Sequence, residues 1–284
     1  MKQHLLCDDA NLSALVAGMS VLPSLPSLYF EITELLNNPK TSIQMLSEAI
    51  NKDIGMTAKI LQVANSAFFG QRQSTKNLTR ALALLGLDNM KALVLSLASF
   101  SQCTQEQLRR FALETLWDHC FAVATYAKHI AQLEQQESSM NDAAFTAGLL
   151  HDCGRLIFAI NVPDAYEQVL TLVRQEGISL WEAEREIFEA SHAEVGAYLL
   201  GIWGLPDPIV EAVAFHHRPF QRKEQTFSPL TAVHVANALI STAGGSDSSH
   251  SPVDLTYLTQ LGRVDRLPFW QTQGAPFMQG GSNQ

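Results

Sequence analysis

The chain has no closely spaced cysteines. Cys7, Cys103, Cys120 and Cys153 are scattered without a CxxC pair, which argues against both a disulfide framework and a cysteine-based zinc knuckle. Dense Lys/Arg runs are missing too, and the formal net charge is −9, so a phosphate backbone would be repelled and direct nucleic-acid binding is not expected. No apolar run has the length expected of a bilayer crossing. The stretch Met1 to Asp9 turns acidic before a signal-peptide core can form, so the expectation is a cytoplasmic protein without membrane contact. Strand signals are nearly absent, and no Pro/Gly/Ser-rich spacer divides the chain. What remains is an ordinary globular composition, 46% hydrophobic and 17% charged over 284 residues, with room for two lobes.

Apolar residues recur at helical spacing almost throughout, as in Leu28, Ile32, Leu35, Leu36, then Ile43, Leu46, Ile50, then Met56, Ile60, Val63, Ala67. The expected fold class is all-α. Leu22-Pro23-Ser24-Leu25-Pro26 reads as an extended lead-in to the first long helix, Asn37-Asn38-Pro39 ends it, and Thr41 with Gln44 reads as the capping box of the next. Gly86 closes a helix carrying Leu82 and Leu85, and Asp88 reads as the N-cap of the one after. Residues 1–105 make an amino-terminal helical lobe with little chemistry, expected to pack on the rest through an apolar face. Residues 106–270 make a second helical lobe, and 271–284, rich in Gly and polar residues, reads as a disordered tail.

The chemistry gathers in the second lobe. Gly148 to Arg155 places His151-Asp152 near the end of an apolar helix, and on the register Phe145, Leu149, Asp152, Leu156, Ala159 the carboxylate falls on the buried stripe. A carboxylate there needs a cation, a metal or several donors. His119 lies on the stripe Leu116, Val123, Tyr126, Ile130, Leu133, while Ser191 to Glu194 reads as a capping box that puts His192 in a helix's first turn. At such a position the helix dipole favours neutral imidazole. His216 shares a face with Ile209, Ala212 and Val213, and His217 lies beside it. His119, His151, Asp152, His192, His216 and His217 are therefore expected around one cavity, as ligands suited to Fe, Mn, Zn or Ni. A structural alternative stays open, in which Asp152 merely accepts hydrogen bonds from His119 and His151. His4, His129, His234 and His250 read as exposed or as hydrogen-bonded core residues, and Cys120 and Cys153 as buried filler.

The segment Asp53 to Gly70 with its Ala64-Asn65-Ser66 signature, the run Ala81 to Leu87, and the Leu22 to Pro26 lead-in together resemble the HDOD domain, a signalling-associated relative of the HD phosphohydrolases. The resemblance runs to about Trp270. It implies an amino-terminal helical lobe packed beside an HD-like helical lobe. In HD phosphohydrolases a first His, a His-Asp pair and a distal Asp hold metal, and the HD-GYP subgroup adds histidines resembling His192, His216 and His217. Asn237 stands where the distal Asp should be, and from Gln225 through Ser246 no acidic residue occurs. An amide supplies no charge to tighten a metal or activate water. Arg155 stands for the family's usual Lys and keeps a positive charge that a phosphate would meet.

Two functions follow. The first is a stand-alone signalling or regulatory module with a degenerate metal site, metal-loaded or metal-free, acting through partner proteins in trans, with a homodimer admissible. The second is a metal-dependent phosphohydrolase acting on a nucleotide or cyclic dinucleotide.

Overall fold

The computed structural model describes residues 12, 15–16, 27–38, 40–66, 75–111, 113, 115–222, 226–243 and 252–278. Among them all regular structure is helical and no strand occurs. The Leu22 to Pro26 lead-in, Pro39, Ala67 to Gly70, the side chain of Asp88, Cys7, His4 and the loop 244–251 with His250 lie outside what is described. The chain divides into two compact units, Pro23–Gln102, and Met1–Leu22 with Cys103–Gln284.

The Pro23–Gln102 unit contains α1 (Ser27–Asn37), α2 (Ile43–Ile50), α3 (Ile54–Ala64), α4 (Leu78–Leu85) and α5 (Leu87–Phe100). Ile32, Leu46, Ile50, Ile60, Leu82, Leu85 and Leu93 fill its core, on the periodicity that marks them in the sequence. Two caps differ from expectation. Ser42, not Thr41, caps α2 by accepting from Met45 N at 3.2 Å. Gly86, at φ 77°, ends α4 and starts α5 at once, so Asp88 lies inside the first turn rather than at the N-cap. Only a residue comfortable at positive φ allows so abrupt a change of direction. Asn65, from the Ala-Asn-Ser signature, donates to Thr75 O at 2.9 Å and accepts from Thr75 N at 2.6 Å. It thereby acts as a strand partner would and fastens the end of α3 to the start of the next segment.

The other unit runs α6 (Gln105–Arg110), α7 (Leu116–Leu133), α8 (Ser138–Leu150), α9 (Cys153–Asn161), α10 (Pro163–Glu176), α11 (Leu180–Phe188), α12 (His192–Ile202), α13 (Asp207–Phe215), α14 (Pro229–Ala243), α15 (Leu255–Gln260) and α16 (Leu267–Met278). Helix α7 packs on α8 and α14, α13 packs on α8, α12 and α14, and α9 packs on α12. Their shared core includes Val123, Tyr126, Ile130, Ala144, Ala147, Val233, Ala236 and Trp270.

The stretch Ser138–Asn161 is long and apolar enough, by length and composition, to count as a candidate membrane span, contrary to the expectation that no such run exists. Within its 18-residue apolar window 83% is buried inside the fold, and the chain turns at His151-Asp152 in the middle of the stretch. That turn also corrects the single continuous register drawn through Phe145 and Ala159, since α8 ends at Leu150 and α9 starts at Cys153.

Of the tail 271–284 expected to be disordered, residues 279–284 lie outside the described residues, and 271–278 are helical. Local composition yields there to two anchors. Tyr126 donates its hydroxyl to Trp270 O at 2.6 Å, and a β-carbon on Gly274 would stand 2.1 Å from that same hydroxyl. Glu134, whose side chain is 5% exposed, accepts from Arg266 at 2.7 Å and from Trp270 Nε1 at 3.1 Å. Glycine in α16 is thus a contact surface rather than a sign of disorder.

Candidate metal centre

Asp152 sits in the turn between α8 and α9, 5% exposed, with φ −101° and ψ 9°. Its two oxygens face different surroundings. Oδ2 accepts from Arg155 Nη1 at 3.0 Å, one turn further on, and the Tyr166 hydroxyl also lies beside that guanidinium. Oδ1 faces three imidazoles through their Nε2 atoms, at 3.1 Å for His192, 3.4 Å for His151 and 3.7 Å for His216.

The far nitrogen of each ring is committed elsewhere. His151 follows the last residue of α8 and donates Nδ1–H to Gly148 O at 2.7 Å, and His216 follows α13 and donates to Val213 O at 2.8 Å. Both use carbonyls that the end of a helix leaves without a partner. His192, the first residue of α12, directs Nδ1 to Glu184 Oε2 at 2.6 Å. An Nδ1–H donor leaves a neutral imidazole with its Nε2 lone pair free to bind. His151 Nε2 and His216 Nε2 are buried and have no hydrogen-bond partner among the described residues. Buried polar atoms are rarely left so, and here they turn to a shared carboxylate oxygen.

All six residues that the sequence marks are brought together. They form two overlapping groups that could each hold a metal ion, Asp152 with His192, His216 and His217, and Asp152 with His119 and His151. His217 Nε2 lies 3.0 Å from His192 Nε2, and the His119 and His151 ring centroids are 5.3 Å apart. His119 and His217 are partly exposed as residues, whereas His151, Asp152, His192 and His216 are buried.

Burial alone would raise the Asp152 carboxyl, but the His151 and His192 imidazoles and the Arg155 guanidinium hold it well below the usual carboxylate value. Burial lowers His151, His216 and His217. His192 departs from expectation. Burial would depress it as well, yet the carboxylates of Glu184 and Asp152 lift it to about 9, against the neutral form expected from the helix dipole. Two buried carboxylates within 3.1 Å outweigh a partial charge at the helix end. Burial pushes Cys153 up to about 12 and Cys120 well above its ordinary value, which fits buried filler and not nucleophiles.

Asn237 is buried on α14, where Oδ1 accepts a long 3.4 Å hydrogen bond from Ser241 Oγ. Helix α14 packs on α7, α8 and α13, the helices that carry or immediately precede His119, His151 and His216. His234, one turn earlier, is a hydrogen-bonded core residue that joins His216 O at 2.7 Å to Asp254 N at 2.8 Å. Two site residues escape the sequence reading. Glu184 lies among Glu182, Arg185 and Glu186 and so looks like part of a solvated face, although the stripe Leu180, Ala183, Glu184 was a signal. Trp181 stacks on His217 with centroids 6.0 Å apart, and Arg218 lies 5.2 Å from the same ring.

The segments that carry these residues are held by close backbone contact. A β-carbon on Gly154 would stand 2.0 Å from His192 O, and one on Gly148 2.7 Å from Ala124 Cα. Gly154→Ala is therefore expected to cost about 3 kcal/mol or more, at or above the usual range for overpacking, because backbone atoms cannot rotate away. Urea denaturation checks this, and a change under about 0.5 kcal/mol, the range of an ordinary surface substitution, would contradict so close an approach.

An HDOD domain model matches residues 22–219, which include all six candidate residues but not Asn237. The structure resembles that of an HDOD domain protein of unknown function from Geobacter sulfurreducens, with 26% identity and a TM-score of 0.68 over 96% of this chain and 89% of that one. It also resembles a Shewanella amazonensis protein provisionally assigned as a phosphohydrolase, with 22% identity and a TM-score of 0.66 over 95% and 97%, a likeness of fold alone. An uncharacterized Treponema pallidum protein is 24% identical over 221 residues, 77% of this chain, and the chain spans only 42% of that protein's length. With the family model covering well over half of its residues, and with an all-helical fold like that of solved relatives, the chain belongs to the HDOD family.

Proposed function

We propose that this chain is an HDOD regulatory module whose Cys103–Gln284 unit holds a transition-metal ion and acts through protein partners rather than by turnover. One observation carries the reading. Asp152 Oδ1 is ringed by three inward Nε2 atoms, two of them buried without a hydrogen-bond partner among the described residues, while α14 offers Asn237 and no carboxylate. His151, Asp152, His192 and His216 would hold the ion, with His217 and His119 beside them. Nitrogen-rich donors with one carboxylate suit Fe, Mn, Zn or Ni better than Mg. When bound, the metal supplies Lewis acidity and a fixed positive charge. The residues themselves orient the imidazoles, hold Asp152 through Arg155 and bury all four inner side chains away from water.

A second reading, hydrolysis of a nucleotide or cyclic dinucleotide, draws on the partial exposure of His119 and His217 and on the Arg155 cation beside Asp152, which a phosphate would meet. A panel of these compounds with Mn, Fe, Ni and Mg separates the two. The expected result is turnover far below that of an HD enzyme with an acidic distal ligand. Robust metal-dependent hydrolysis by the unaltered chain, abolished by His151→Ala, would establish the second reading instead.

A further inference from the structure

Glu184 is a fully buried carboxylate that the metal-ligand set does not use. Its Oε2 accepts twice from a single residue, from His192 N at 2.7 Å and from His192 Nδ1 at 2.6 Å, and its Oε1 has no hydrogen-bond partner among the described residues. Burying a carboxylate with half its acceptor capacity unused is costly, so its presence calls for a specific task.

The task follows from where the three inner histidines sit. His151 and His216 end their helices, and the preceding turn supplies a carbonyl for each Nδ1–H. His192 begins its helix. The unsatisfied groups at a helix start are N–H donors, so α12 itself has no acceptor to offer its first imidazole. The acceptor has to come from another element, and α11 brings it. Pinning both the backbone N–H and Nδ1 to one oxygen fixes the ring, and the opposite apex, Nε2, then faces Asp152 Oδ1 at 3.1 Å and His217 Nε2 at 3.0 Å. The next residue of α11 makes a second grip on α12, with Arg185 Nη1 donating to Glu194 Oε1 at 2.6 Å. Glu194 in turn receives Ser191 N at 2.8 Å and Arg218 Nη2 at 2.8 Å, so the start of α12 is held in register on its inner and outer sides.

We infer that Glu184 is the positioning residue of the centre, the acceptor from a separate helix that aims His192 Nε2 at the metal, an inference that rests on the metal-centre reading above. Supporting groups of this kind are worth about 10- to 100-fold in metal affinity.

Cobalt(II) is the probe, its affinity measured by chelator competition and its geometry by d–d absorption, on the full chain and on Glu184→Ala and Glu184→Gln. The alanine variant is expected to bind cobalt about 10- to 100-fold more weakly with an altered spectrum. The glutamine variant, which keeps a neutral acceptor, should fall between it and the wild type. Wild-type affinity and spectrum in folded Glu184→Ala would overturn the inference, as they would in Glu184→Gln should the alanine variant not fold. If the wild type itself takes up no cobalt, the metal-centre reading fails separately. The low-field Nδ1 proton of His192 in the metal-free protein then decides: its loss in either variant upholds the positioning role, and its persistence in both overturns it.

Discussion

Asp152→Asn should strip the protein of transition metal while leaving it folded. Asp152 is the one residue common to both groups that could hold a metal ion, and its Oδ1 is the point on which His151, His192 and His216 converge. The substitution keeps the shape and removes the charge. Loss of a supporting group costs about 100-fold in metal affinity at most, and loss of the sole inner anionic ligand should cost more than that. The fold is expected to survive because an Asn oxygen can still accept from Arg155, which is 16% exposed and now pairs with Oδ2 at 3.0 Å. The lost charge on that hydrogen bond is worth about 1–3 kcal/mol of stability. Metal titration with unfolding curves recorded on the metal-free forms checks both halves. An Asp152→Asn protein that binds metal as tightly as the wild type would show that the carboxylate serves only to join helices, the purely structural alternative.

Asn237→Asp should move the protein in the opposite direction. Asn237 is buried on a helix that packs against α7, α8 and α13, and Pro229–Ala243 contains no acidic side chain. A carboxylate about 4 Å from a cation gains on the order of 4 kcal/mol at an effective dielectric near 20, before desolvation is deducted. Without metal the same carboxylate is a buried, uncompensated charge and destabilises. The variant should therefore melt earlier than the wild type when metal-free and gain more from added Mn or Fe. Where a substrate is accepted, a carboxylate able to assist proton transfer contributes about 10²- to 10⁴-fold, so hydrolysis should appear or rise on that scale. Parallel melting and turnover assays, with and without metal, provide the check. Equal metal dependence in the two proteins would mean that position 237 does not communicate with the centre.

What could be read in advance follows a physical line. Helices α7 and α13 announce themselves through periodic apolar stripes, and His119 and His216 ride on or directly after those stripes. His192 is legible because Ser191 and Glu194 mark the first turn of α12. Glu184 is not, since its partner lies eight positions away on another helix and its own neighbours are charged. The raised basicity of His192 is hidden from the sequence for the same reason, because the dipole argument is local whereas Glu184 and Asp152 arrive through tertiary packing. The choice between Thr41 and Ser42 hinges on a one-residue difference in where α2 starts. Helix α16 contradicts its composition because Gly274 and Trp270 are selected for contact with Tyr126 and Glu134, which lie more than a hundred residues earlier.

The claim that the inward histidines and Asp152 form a working metal site is tested most directly by elemental analysis of the purified protein after exposure to Fe, Mn, Zn and Ni under reducing conditions and removal of loose metal. The account predicts that the wild type retains at least an equimolar amount of one of these metals and that Asp152→Asn retains none. A wild-type chain that is folded yet free of all four would contradict it.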